Sequence, residues 1–383
     1  MLVLVGVNLV LMLWLAHESM TVLPAPPGVR GLWFKDIDAK VAARDATLRK
    51  LGADLTAIRK ALAGESASDG SKSSDGDVGK GGGPEPWLVV GIPTVPRIDS
   101  ATGKPLDYLS KTVDALVTQM SSHPASLEYR QVVVVVMNHA PKAEHVMLDA
   151  AKERVASARL SHAFVFVDND GSVPNPTPGA TDVGSPNKPG YKVRQQTRDV
   201  VALLREAAPR GRYFMFLEDD FELCPNGFAA IAYMVRKMEA YSPGFVSVRA
   251  SFGLAGIVMP SPDALVFADY LEKHQARRPP DHLCSEWTGK ETPEAVAYLG
   301  QRVNGAFRYN ILHHLGRVST LRSELSVPYP GCYEFLGEPI LFKVEAFDPR
   351  ACPRDDVWPC PPTGPTAPLV DFRGEIPPAT PPS

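Results

Sequence analysis

A chain of 383 residues has room for one large domain or two ordinary ones, so core size is not limiting. With 40 Lys and Arg against 43 Asp and Glu the formal charge is −3 and no long basic block occurs, which excludes a broad basic surface for nucleic acid. Proline, at 37 residues, is about twice its usual ~5% share and gathers in a few loops and toward the C-terminal end, as in linkers.

Residues 1–16, MLVLVGVNLVLMLWLA, are almost wholly apolar. The run is a little short of the ~18–20 residues of a membrane span. It lacks a basic start, and Trp14 stands where a signal cleavage site wants a small residue. An uncleaved signal anchor is expected, single-pass type II, with the rest of the chain in a lumen. A cleaved signal and an incomplete N-terminus are the alternatives. In the stem, 17–63, a Pro-rich spacer precedes Ile37, Val41, Leu48, Leu51, Leu55, Ile58 and Leu62, which follow a heptad rhythm. The stem helix either self-associates, giving a homodimer, or lies singly on the domain. Residues 64–86, rich in Gly, Ser and Asp, read as a flexible linker.

The folded unit is expected over 87–345, where apolar runs alternate with helical patterns. Strands are predicted at 87–93 (WLVVGIP), 131–137 (QVVVVVM), 163–167, 213–217 (YFMFL) and 244–249. Helices are predicted over 106–120, 142–155, 193–207 and 228–240, and residues 171–191 form a long loop. Residues 288–305 read as a helix with surrounding loop, and 346–383 as a Pro/Cys-rich tail. Continuous apolar strands alternating with helices predict an α/β fold, a mixed, mostly parallel sheet covered by helices on both faces. Five cysteines occur, Cys224, Cys284, Cys332, Cys352 and Cys360. None forms a CxxC pair, the odd total leaves at least one unpaired, and connectivity stays open.

The chemistry gathers at the strand ends. After Tyr213–Leu217 come Glu218, Asp219 and Asp220, whose mutual repulsion and desolvation a cation or plain water must offset. Carboxylates placed so suit Mg²⁺ or Mn²⁺ shared with a diphosphate, although a solvated turn is equally natural for the triplet alone. No GxxxxGK[ST] pattern occurs, and no GxGxxG follows a strand. Thr94 and Arg97 follow the first strand and can meet a nucleotide, although a lone Arg in a loop is more often solvated. Asp281, after two prolines, can serve as a general base or as a helix N-cap. His313 and His314 sit side by side; on a strand they face opposite ways, so at most one can be a metal ligand.

In order, GIPTVPR, a Gln-Gln-x-x-Asp helix, FLEDDF, SFGLAGIVMPSPDAL, DHL and HHLGRVSTL resemble the alpha-1,3-mannosyl-glycoprotein 4-beta-N-acetylglucosaminyltransferases over residues 87–325. The resemblance implies a GT-A-like nucleotide-diphospho-sugar transferase fold, a divalent cation (Mn²⁺ or Mg²⁺) and UDP-N-acetylglucosamine (UDP-GlcNAc) as donor. It implies inverting transfer to a mannose of an N-glycan acceptor, on a Golgi membrane. It further implies Asp220 as direct metal ligand with Glu218 beside it, and Asp219 acting through ribose or metal-bound water. Thr94 and Arg97 would face the donor, Asp281 would be the base, and His314 would be the histidine of the pair that serves the metal. The chain departs from the family pattern at Ile257, where a Lys is expected, and within 171–191. A transferase using another UDP-sugar, a metal-dependent hydrolase and a non-catalytic, membrane-tethered glycan-binding scaffold are the rival readings.

Overall fold

The computed structural model describes residues 85–99, 102–124, 126–175, 189–316, 329–337 and 347–361. The signal anchor, the stem, nearly all of the linker and most of the 171–191 loop lie outside the described residues. Among the described residues no helix is long and apolar enough to cross a membrane.

Strand β1 (Leu88–Thr94) lies in the interior of the main sheet. Its β-branched and aliphatic side chains suit a strand buried on both faces. On one side it pairs in parallel with β2 (Val132–Asn138), and β2 with β3 (Phe164–Asp168). On the other side it pairs in parallel with β4 (Tyr213–Phe216). Beyond β4 lie the antiparallel β7 (Ile257–Pro260), then β6 (Ser247–Arg249), β8 (Asn304–Phe307) and β10 (Val357–Trp358). The order is β10-β8-β6-β7-β4-β1-β2-β3, with β7 and β10 opposed to the other six. The expected mixed, mostly parallel sheet is observed.

Alternation along β1 feeds two cores. Leu88, Val90 and Ile92 face helices α1 (Leu109–Ser122), α2 (Leu127–Arg130), α3 (Val146–Ser157) and α5 (Gly227–Tyr241). Val89 faces α4 (Tyr191–Ala207), α6 (Ser261–His274), α7 (Pro280–Thr288) and α8 (Pro293–Leu299). Each aliphatic side chain so buried is worth roughly 1.5–3 kcal/mol. At Gly91 a Cβ would stand 2.5 Å from the Phe214 ring, so only glycine lets that ring cross β1.

A second, small sheet pairs β5 (Phe221–Leu223) with β9 (Leu312–His314), antiparallel. The Cys224–Cys332 disulfide, closing a separation of 108 residues, ties the end of β5 to the segment 329–337. A second disulfide joins Cys352 to Cys360, while Cys284 keeps its thiol, buried, with Sγ accepting from Arg249 Nη2 at 3.4 Å.

Residues 288–305, read as a helix with surrounding loop, hold such a helix, α8, between the end of α7 and the start of β8. One expectation is corrected. Residues 347–361, expected to begin a tail, join the sheet instead. Val357 and Trp358 pair with Phe307 and Ala306, and Lys237 on α5 is buried between Asp355 and Asp356. A two-residue strand amid prolines has no period to read.

Candidate active site

Strands β2 and β3 extend the sheet to one side of β1, while β4 lies on the other. The strand order therefore reverses between β1 and β4, and ligands of such sheets bind beyond the carboxyl ends of the strands at that point. The loop after β1 carries Thr94 and Arg97, and the turn after β4 carries Glu218, Asp219 and Asp220.

These residues contact one another. Arg97 spans two acids: Nη2 bonds Asp219 Oδ1, and Nη1 donates to Asp220 Oδ2 at 2.8 Å. Its side chain is 14% exposed and lies against the Tyr108 ring, 5.6 Å from the centroid. The repulsion within the triplet is thus offset in the protein itself by a guanidinium, where the sequence suggested a cation or water. Thr94 Oγ1 donates to Asp219 Oδ2 at 2.7 Å. Behind it stands His145, the N-cap of α3. Its Nδ1 accepts from the Leu148 N–H, so Nε2 carries the proton and donates to Thr94 Oγ1 at 3.0 Å. Burial keeps the His145 pKa below its ordinary value, in the neutral form this relay needs.

Asp220 is held from the opposite side. Phe221 pairs with His314 in the β5–β9 register, which brings His314 Nε2 to 3.7 Å from Asp220 Oδ2. The Leu315 N–H donates to the Asp220 carbonyl at 2.8 Å. The Phe221 and Tyr329 rings fix the His314 imidazole, with centroids 4.6 and 4.4 Å away. His313, exposed, pairs with Glu222 on the other face and takes no part.

The three acids differ electrostatically. Burial and the neighbouring charge of Asp220 push Glu218 up to about 8. Burial also pushes Asp219 up, to about 6, against the pull of Arg97. At Asp220 burial is outweighed by His314 and Arg97, which hold it below the usual carboxylate range. Such divergence within one cluster is typical of functional sites.

Asp281 lies in the first turn of α7, half-buried, its Oδ1 accepting from the His282 N–H at 3.0 Å. The helix N-cap is Pro279, so the N-cap reading of Asp281 is corrected to a first-turn position. Its charge reaches Glu218 and helps raise that pKa.

A cavity of about 290 Å³ opens beside the triplet, lined among others by Arg97, His139, Gln195, Asp199 and Glu218. The Asn169 amide, oriented by the Gly171 N–H, lies 2.8 Å from His139 Nδ1, which also stands 3.3 Å from Asp199 Oδ1, and His139 Nε2 is buried without a hydrogen-bond partner. Nothing in the sequence singles out Tyr108, His139 or His145: Tyr108 and His145 fall within the helices expected over 106–120 and 142–155, and the structure places them at the N-caps instead.

Two side chains here could contribute to a divalent-cation site. Asp220 Oδ1 is buried without a partner, and the imidazole of His314 stands beside the same carboxylate. Among the described residues no group of three or more His, Cys, Asp or Glu could hold a metal. Diphosphate oxygens and water would therefore have to supply the remaining ligands, as Mg²⁺ and Mn²⁺ commonly require.

No protein-family profile matches the chain. In sequence it is 23% identical over 244 residues to alpha-1,3-mannosyl-glycoprotein 4-beta-N-acetylglucosaminyltransferase A of Gallus gallus, a match taking in 62% of this chain and 44% of that one. The chain is glycosyltransferase-like in this sense, and the match spans less than half of its relative. Solved structures similar to it include 4-diphosphocytidyl-2C-methyl-D-erythritol synthase from Anaerococcus prevotii DSM 20548, with TM-score 0.30, 7% identity and coverage of 57% of this chain and 85% of that one. Mouse xyloside xylosyltransferase 1, in its apo form, has TM-score 0.30 and 9% identity, over 57% of this chain and 83% of that one.

Proposed function

We propose that this chain is a metal-dependent inverting glycosyltransferase of GT-A type. It would move N-acetylglucosamine from UDP-GlcNAc to a mannose of an N-glycan or a related glycan. A membrane anchor and a Golgi location go with that reading. One observation carries it: Arg97, Asp219, Asp220 and His314 converge at the sheet's switch point, beside an open cavity. The sequence likeness to an N-acetylglucosaminyltransferase supports the choice of donor.

Asp220 and His314 would hold the divalent cation, which when bound supplies Lewis-acid stabilisation of charge on the departing diphosphate. Thr94, set by His145, keeps Asp219 turned toward the site. Asp281 is the base. As the acceptor oxygen bonds to the anomeric carbon, the carbon–phosphate-oxygen bond breaks on the opposite face, and the hydroxyl proton passes to Asp281. The configuration inverts in one displacement, without a covalent enzyme intermediate.

The test is calorimetric titration of UDP with and without Mn²⁺, followed by a screen of UDP-sugars with glycan acceptors and linkage analysis. Metal-coupled UDP binding and transfer from UDP-GlcNAc are expected. Transfer from a different UDP-sugar would replace the donor. Nucleotide-sugar hydrolysis indifferent to acceptor, or the absence of metal-coupled binding, would overturn the reading.

A further inference from the structure

The position of Arg97 bears on the order in which a metal and a diphosphate enter, an inference that rests on the proposed function. The guanidinium bridges Asp219 and Asp220 from within the cluster, bonded to Asp220 on the carboxylate oxygen that His314 also approaches. A divalent ion on Asp220 and a guanidinium on the same carboxylate are like charges in competition for one anion.

The present arrangement satisfies neither partner fully. Arg97 Nε is a buried donor with no acceptor, and Asp220 Oδ1 is a buried acceptor with no donor. Buried polar atoms left so are uncommon and costly. The two orphans are complementary to different species: the donor to a phosphate oxygen, the acceptor to a cation. A metal–diphosphate pair satisfies both at once, whereas either alone satisfies one.

The backbone around Arg97 is fixed. Its carbonyl accepts from the Leu106 N–H at 2.9 Å, and Ile98 is bridged to Pro105. Release of the acids therefore requires a side-chain rotation, with the guanidinium turning toward the cavity it already lines. Guanidinium suits both roles, since it forks onto carboxylate or phosphate with similar geometry.

We infer that Arg97 is an internal counter-cation which withholds Asp220 from divalent metal until a diphosphate arrives to take the guanidinium. Metal binding is then conditional on the nucleotide, and the coupling is reciprocal.

The test uses the full chain, following free Mn²⁺ by electron paramagnetic resonance with and without UDP, in wild type, Arg97→Gln and Arg97→Lys. Wild type should bind Mn²⁺ alone at least about tenfold more weakly than with UDP. Arg97→Gln should bind Mn²⁺ alone about tenfold or more tightly than wild type, with a reduced gain from UDP. Arg97→Lys should fall between, because one ammonium lacks the planar fork that spans both carboxylates. Should circular dichroism show Arg97→Gln unfolded, Arg97→Lys, which keeps the charge, decides by the same criterion. If both variants bind Mn²⁺ alone no tighter than wild type while wild type keeps UDP-coupled binding, the inference is overturned and the proposed function stands. If wild type binds no Mn²⁺ even with UDP, both fall.

Discussion

His314 Nε2 stands 3.7 Å from Asp220 Oδ2 because the residue after Asp220, Phe221, pairs with His314 across β5 and β9. Two short strands thus set a carboxylate and an imidazole together. Asp220→Ala and His314→Ala should each weaken metal-coupled UDP binding, by at least about tenfold for Asp220 and less for His314. Titration of UDP at fixed Mn²⁺ measures this, with circular dichroism reporting the fold. Unchanged affinity in Asp220→Ala would remove Asp220 from the metal site.

Gly316 lies against the same pair. A Cβ there would stand 2.4 Å from Asp220 Oδ2 and 2.8 Å from His314 Nε2, closer than real contacts allow. Gly316→Ala should therefore displace one or both groups, at an overpacking cost of about 1–3 kcal/mol. Metal-coupled UDP binding should fall with it. A variant as stable as wild type, with full UDP affinity, would show that the pair is free to move.

How much of this was legible in the sequence depends on the length of the signal. Strands β1, β2 and β4 are continuous apolar runs, and the triplet stands out as charge at the end of one. The spacing of Ala264, Phe267, Ala268 and Leu271, after Ser261-Pro262, is a further helix signal, that of α6, beyond the four expected helices. By contrast β5 and β9 have three residues each and no readable period, so the partnership of Asp220 and His314 had to come from a family resemblance. Local sequence shows Arg97 only as a lone loop arginine, and its place facing the donor comes from the resemblance, because its partners lie more than a hundred residues away. Long-range pairing of single side chains leaves no local pattern.

Asp281→Asn should separate chemistry from donor binding. The amide cannot take the acceptor proton, so transfer should drop by roughly 10²–10⁴-fold. UDP affinity should stay near wild type, since the metal site draws on Asp220 and His314. Initial rates with saturating donor, read beside UDP titrations, give both quantities. Wild-type turnover would exclude Asp281 as the base.

The acid limb of stability should involve Glu286. Burial pushes this carboxyl up, but Arg277, Tyr270 and Arg278 outweigh it and hold the pKa below its unfolded value of 4.5. Arg277 Nη1 donates to Glu286 Oε2 at 2.6 Å, and Arg278 lies at 3.0 Å. A carboxylate depressed in this way stabilises the fold above its unfolded pKa, and that stability is lost as pH falls through the folded value. Glu286→Gln should be less stable than wild type near neutrality, and the gap should narrow as pH drops below about 4.5. Urea midpoints across that window provide the measurement. A gap independent of pH would show that the ionised carboxylate contributes nothing.

Residues 347–361 should prove part of the folded domain. Lys237, with its side chain 8% exposed, sits between Asp355 and Asp356, and Tyr233 and Tyr241 bond to the same acids. Phe335 and Phe347 stack on Arg308, with centroids 5.3 and 5.5 Å from its guanidinium carbon. Removing one member of a buried ionic cluster strands the others, at a cost of ~3–5 kcal/mol. Lys237→Ala should therefore lower the urea midpoint sharply, while metal-coupled UDP binding by the folded protein stays unchanged, because the cluster touches none of the triplet. Truncation after residue 345 also removes β10, and should yield a chain less stable than Lys237→Ala. A truncated chain as stable as the full one would return this segment to the status of a tail.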